Sequence, residues 1–235
     1  MESMVHEILW LKLGQLDRAI SALKSRSITR VVMAGKIEKS NLLRLWNLKP
    51  DKRALKLIRS MRDWRDDTIL EAIAQELLKE GIVVDEITRW ASKLMAPAGV
   101  LTRTAPTESQ WIDIEFGRRM AQGIGALDIG QTVLVKNRAV IVVEAIDGTD
   151  RAIRRAADLQ IPDTVVVKMA KPSQDMRFDV PGVGPSTIDS MSVARCRVLA
   201  VEAGKTLIAG YTEMVRKADD AGMTIVGIPP CGPVK

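Results

Sequence analysis

Between Lys168 and Thr187 the chain reads KMAKPSQDMRFDVPGVGPST, which sets Lys168, Lys171, Asp175, Arg177 and Asp179 among prolines and glycines. Loops this long are uncommon inside compact domains and are often functional. Asp175 and Asp179 can supply oxygen ligands to a divalent cation, while Lys171 and Arg177 neutralise phosphate charge. That division of labour suits phosphoryl transfer or diphosphate cleavage. The plainer alternative is a solvated loop whose charges pair with one another, each pair worth little.

A second group is EAIDGTD, Glu144 to Asp150, at the end of an apolar run and the start of a helical pattern. Gly148 permits a sharp turn and Thr149 or Asp150 can cap the helix. Glu144, Asp147 and Asp150 thereby place three carboxylates in one strand-to-helix turn. Crowded carboxylates raise one another's pKa unless a cation intervenes, which favours a metal or a general base. A capping turn with solvated acids is the alternative.

Other motifs carry less. EAGKT, Glu202 to Thr206, ends like a phosphate-binding P-loop, but Leu199 stands where the first glycine of that pattern belongs. It reads as a short loop after a strand, with Lys205 exposed and the backbone able to face a ligand. Gly182 and Gly184 read as turns, and Asp66 or Asp67 as a helix cap. His6 is the single histidine, so Ser-His pairs and two-His zinc sites lack raw material. Cys196 and Cys231 form no C-x-x-C pair. The eleven methionines are scattered and read as core filler, and Trp46, Trp64 and Trp90 as core or interface.

Several elements must position these residues. Leu16, Ala19, Ile20 and Leu23 recur at helical spacing, and the apolar run from Ile28 to Ala34 stops at Gly35 as a buried strand does. A second helix carries Ile69, Ile73 and Leu77 on one face and closes at Gly81, before a strand at Ile82 to Val84. Helices between short apolar strands imply a parallel sheet. The Pro-, Thr- and Ser-rich stretch from Leu94 to Gln110 reads as a connector, giving lobes at 1–100 and 101–235. Beyond it the pattern predicts a helix over Glu115 to Gly125 and a hairpin of Thr132 to Lys136 with Ala139 to Ala145, turning at Asn137. Further helices are predicted at Thr149 to Asp158, from Thr187 and from Tyr211. Strands are predicted at Thr164 to Met169, Val198 to Glu202 and Met223 to Ile228.

Whole-chain properties narrow the class. The 235 residues are 46% hydrophobic and 27% charged, which excludes disordered, collagenous and coiled-coil chains. No run approaches the ~18 apolar residues of a membrane span, and the N-terminus lacks signal-peptide order, so a cytoplasmic protein is expected. A net charge of +6 suits an anionic partner, and aromatic residues at 3% disfavour nucleic acid.

The stretches LGQL near Gly14, VVMAGK near Gly35, MAPAGVLT (Met95 to Thr102), LDIGQTVLV (Leu127 to Val135), VEAIDGTDRAIRR (Val143 to Arg155), KPSQDMRFDVPGVGPSTI (from Lys171) and AVEAGKT (Ala200 to Thr206) run in order along nearly the whole chain. With them the sequence resembles the LpxI family of UDP-2,3-diacylglucosamine diphosphatases of lipid A biosynthesis. The resemblance implies an α/β protein of two lobes, Rossmann-like at the N-terminus and a family-specific mixed α/β lobe at the C-terminus, with a substrate cleft between them. It implies hydrolysis of UDP-2,3-diacylglucosamine by water attack on the α-phosphorus, with Mg²⁺ required and Mn²⁺ a possible substitute. It also implies a homodimer, and peripheral contact with the inner membrane where the acylated substrate lies. Carried onto this chain, Asp179 and Asp175 become the candidates for catalysis and metal binding, with Glu144 as a further metal ligand. Lys168, Lys171, Arg177, Asp147, Thr149, Asp150 and Lys205 become substrate contacts.

Two departures stand out. Members usually open with a strand and a Gly-rich turn of the kind IAGGG, whereas this sequence begins at the following helix, so part of the nucleotide-side lobe is expected to be absent. The family's EGTD turn is here DGTD, with Asp147 giving the charge a shorter reach. The alternative to an enzyme is accordingly a nucleotide- or lipid-sugar-binding protein without turnover.

Overall fold

The computed structural model describes residues 5–35, 50–61, 66–177 and 179–230, with the side chains of Asp66 and Asp67 excepted. The proposed cap at Asp66 or Asp67, and the readings of Trp46, Trp64 and Cys231, therefore lie outside the described side chains. The chain clusters into two compact units, Met1–Ile87 and Thr88–Lys235.

In the first unit, α1 (Leu16–Ser25) leads to β1 (Arg30–Val32), and α2 (Lys52–Ser60) and α3 (Asp66–Lys79) precede β2 (Val83–Asp85). β1 and β2 pair in parallel, as the alternation of helix and strand signals predicts. The helix α2 is not among the sequence-based expectations. Asp51 caps it by accepting the Ala54 N–H at 2.8 Å, and its other oxygen accepts the Asp17 N–H at 2.7 Å, tying the starts of α1 and α2 together. Arg53 joins Glu76 and Glu80 in ion pairs, and Arg30 reaches both oxygens of the buried Asp85.

The second unit is built on a six-stranded mixed sheet of order β3-β10-β8-β6-β4-β5. Its strands are β3 (Gly99–Val100), β4 (Thr132–Lys136), β5 (Ala139–Val143), β6 (Val165–Lys168), β8 (Val198–Glu202) and β10 (Thr224–Ile228). β6, β8 and β10 run parallel; β4 is antiparallel to both β5 and β6. Two short strands, β7 (Gly182–Val183) and β9 (Leu207–Ile208), pair separately. The unit begins before the 100/101 division expected from the connector. β3 hydrogen-bonds to β10, and the Ala96 N–H donates to the Thr206 carbonyl at 2.8 Å, so the Pro-rich stretch is part of the second unit.

Alternation along the strands sorts the core. Val133, Val135, Val165, Val167, Val198 and Ala200 meet α4 (Glu108–Ala126) on one face. Leu134, Val166, Leu199 and Val201 meet α5 (Thr149–Arg155), α6 (Pro185–Val193) and α7 (Tyr211–Asp220) on the other. A fully buried aliphatic side chain contributes about 1.5–3 kcal/mol, so these two layers fix the sheet. α4 starts earlier than predicted because Thr107 and Gln110 form a reciprocal capping box, a signal lying inside the apparent connector. Gly117 lets α4 settle on the sheet: a Cβ there would lie 2.6 Å from Val167 Cγ2. Among the described residues, no helix is long and apolar enough to cross a membrane.

Candidate functional site

The sheet order brings one set of strand ends together. The C-terminal ends of β6, β8 and β10 share an edge with the end of β5 and the start of β4, because β4 runs the opposite way. Ligands of open α/β sheets sit outside the carboxyl ends of the parallel strands. The loops that leave this edge, 144–148, 169–184 and 203–210, hold every sequence-predicted site residue that does not itself end β6 or begin α5.

The long loop is internally braced. Gln174 accepts the Lys171 N–H through its side-chain oxygen at 3.2 Å and donates through its amide to the Asp179 carbonyl. The Asp179 N–H donates to the Asp175 carbonyl at 3.3 Å. Arg177 clasps both oxygens of Asp175, at 2.6 Å through Nη2, and this guanidinium holds the Asp175 carboxyl below the usual range against the opposing effect of burial. Asp175 is thus committed to Arg177. Asp179 is engaged more loosely, its Oδ2 lying 3.7 Å from Lys171 Nζ. Lys171 Nζ sits closer, at 2.7 Å, to Asp128 Oδ1.

The three acids of the β5–α5 turn go separate ways. Gly148 takes φ +83°, which turns the chain into α5. Asp147 accepts the Ala145 N–H at 3.1 Å and pairs with Arg155 at 2.9 Å, closing its own turn. Asp150 accepts from the Ser186 and Thr187 hydroxyls at 2.9 and 3.0 Å, tying the start of α5 to the start of α6. Glu144, 7% exposed, accepts the Thr149 hydroxyl at 3.0 Å. Lys168, 4% exposed, donates to that same hydroxyl oxygen at 2.5 Å. Among the described residues, no three His, Cys, Asp or Glu side chains gather as a cation cage, so Glu144 does not join Asp175 and Asp179 in one.

Two carboxylates not singled out in the sequence belong to this edge. Asp128 holds Lys171. Glu202, almost fully buried, accepts the Ala170 N–H at 2.9 Å and pairs with Lys205 at 2.9 Å, so Lys205 is held against β8. Both lie in stretches that carry the family resemblance, LDIGQTVLV and AVEAGKT, which was the available signal.

The LpxI C-terminal domain family matches residues 97–226, and the LpxI N-terminal domain family matches residues 1–94. The chain belongs to the LpxI family. A UDP-2,3-diacylglucosamine pyrophosphatase LpxI from Caulobacter vibrioides is 30% identical to it over 231 residues, covering 93% of this chain and 81% of that protein. All of the edge residues described above fall within the match to the LpxI C-terminal domain.

Proposed function

We propose that this LpxI chain hydrolyses the diphosphate of UDP-2,3-diacylglucosamine within lipid A biosynthesis. Water adds to the α-phosphorus, the bond from that phosphorus to the bridging oxygen breaks, and UMP and 2,3-diacylglucosamine 1-phosphate leave. The observation that carries this reading is the sheet edge whose strand ends and loops bear Lys168, Lys171, Arg177, Lys205, Asp175 and Asp179, in a chain related to an enzyme named for this substrate. The lysines and Arg177 offset the diphosphate charge and orient it. In this reading Asp179, the less engaged aspartate, accepts a proton from the attacking water, a role its loose pairing supports.

A Mg²⁺ ion fits the donor chemistry in one form. Such an ion is commonly held by one or two carboxylates together with substrate phosphate oxygens. Asp179, with Asp175 after release from Arg177, would hold it, and it would supply charge neutralisation at the phosphoryl oxygens. Mn²⁺ could take the same ligands.

The same reading has the protein in the cytoplasm, a homodimer, touching the membrane surface peripherally. Leu127 and Ile146, about three-quarters exposed on the connections beside the site, support that contact. Its first lobe is read as Rossmann-like on the strength of the parallel β1–β2 pair between helices.

The test is incubation of wild-type protein and Asp179→Ala with UDP-2,3-diacylglucosamine and Mg²⁺. UMP release by wild type alone is expected; equal release from both would count against the assignment. Binding of the substrate without release of UMP from either would favour the non-catalytic binder. In a flotation assay, protein that stays entirely off lipid vesicles would remove the membrane contact.

A further inference from the structure

Glu144, Thr132 and Lys168 form a row across three neighbouring strands. Thr132 is the register partner of Lys168 on the antiparallel pair β4–β6, and the Glu144 N–H donates to the Thr132 carbonyl at 2.9 Å. By alternation from Leu134, Val142 and Val166, all three side chains face the layer that contains α5. Directly opposed side chains on such strands stand about 5 Å apart at Cβ. Thr149, the first residue of α5, lies over this row. Its single hydroxyl proton goes to Glu144 Oε1, so its oxygen lone pairs receive the Lys168 ammonium. Glu144 Oε2 and Thr132 Oγ1 are buried with no hydrogen-bond partner among the described residues.

We propose that Glu144 is a positioning residue: through the Thr149 hydroxyl it fixes the direction of the Lys168 ammonium toward the diphosphate. This rests on the diphosphatase reading above and replaces the metal-ligand role expected for Glu144. Two physical points carry it. A lysine ammonium is a flexible point charge with three rotatable donors, so its direction must be set by an acceptor. A lone threonine hydroxyl could rotate its proton toward the amine; a carboxylate that claims that proton forbids it.

The test compares wild type with Thr149→Val, Thr149→Ser and Glu144→Gln. One measurement is steady-state UMP release. The other is calorimetric binding of inorganic pyrophosphate, which needs no turnover. Thr149→Val removes the relay while keeping the shape, and about tenfold or more is expected to be lost from kcat/KM and from pyrophosphate affinity. Thr149→Ser restores the hydroxyl, and Glu144→Gln keeps an acceptor for it, so each should recover to within about fivefold of wild type, less than one charge-assisted hydrogen bond is worth. A metal ligand would not tolerate the loss of charge in Glu144→Gln. Should Thr149→Val fail to fold, the other two variants still decide: a large loss in either overturns the relay, as would wild-type behaviour of a folded Thr149→Val. Absence of UMP release from wild type would instead defeat the diphosphatase reading, and the pyrophosphate arm would still judge the relay.

Discussion

The two edges of the six-stranded sheet both carry charged side chains and use them differently. At the edge where β6, β8 and β10 begin, acids and bases serve the backbone. The buried Asp113 accepts the Asn137 and Arg138 N–H groups at 2.9 and 2.6 Å, closing the β4–β5 turn, whose two residues both have positive φ. Lys136 donates to the Asp163 carbonyl at 3.1 Å, and Arg197 spans the Asp163 carboxylate and the Gly222 carbonyl. At the opposite edge many charged groups engage other side chains across loops: Lys171 with Asp128 and Asp179, Arg177 with Asp175, and Lys168 with Thr149. A charge spent on a backbone group is structural. One held by another side chain can be re-partnered by a substrate, which is why position on the sheet says more about role than charge does.

Substitutions at the two edges should therefore separate activity from stability. The largest effect is expected from Asp179→Ala, with UMP release falling about a hundredfold or more, as for loss of a general base, while the melting temperature stays near wild type. At the other edge Asp113→Ala strands two backbone donors and should cost about 2 kcal/mol of unfolding free energy in a denaturant titration, with kcat of the folded protein preserved. If Asp113→Ala removed activity without destabilising the fold, the contrast between the edges would fail.

Asp175→Asn sharpens the comparison, because it loosens Arg177 and is expected to lower kcat/KM by about tenfold, the worth of a charge-assisted hydrogen bond. The folded Asp175 carboxyl titrates below its unfolded value because of Arg177, so the stability it confers is complete above the ordinary carboxylate range. That contribution is lost as pH falls through the depressed value. The stability difference between wild type and Asp175→Asn should accordingly be present at neutral pH and close on acidification, measured by thermal unfolding across a pH series. The smallest effect is expected from Arg197→Ala. Its pair with Asp163 is half exposed, and the change should stay within about 1 kcal/mol and leave UMP release untouched.

The fold was legible where period and burial coincide. β4 and β8 have the bounds their apolar runs predict, and the hairpin turns at Asn137 as expected. The two-residue strands β3, β7 and β9 were not legible, since two residues display no period. Lys168, Lys171, Arg177 and the aspartates, singled out in the sequence, do lie along one edge of the sheet and its loops, but their wiring was not legible. Lys171 meets Asp128 at a separation of 43 residues and Ala170 meets Glu202 at 32, distances that only the strand order closes. The crowding of Glu144, Asp147 and Asp150 in one turn gave the wrong picture of a single acidic focus. Each side chain leaves that turn toward a different neighbour.

The placement of Lys168 on the last position of β6 has a bearing on which length changes this protein can absorb. Deleting or inserting one residue within Val165–Lys168 would swing the amine across the sheet into the valines beneath α4 and bring an aliphatic side chain up beside Thr149. An extra residue near Pro172 or Ser173 would leave that register alone but would part Lys171 from Gln174 and Asp179, the braces of the long loop. Variation in length among natural or engineered versions should thus stay out of both the strand and the braced stretch from Lys171 to Asp179.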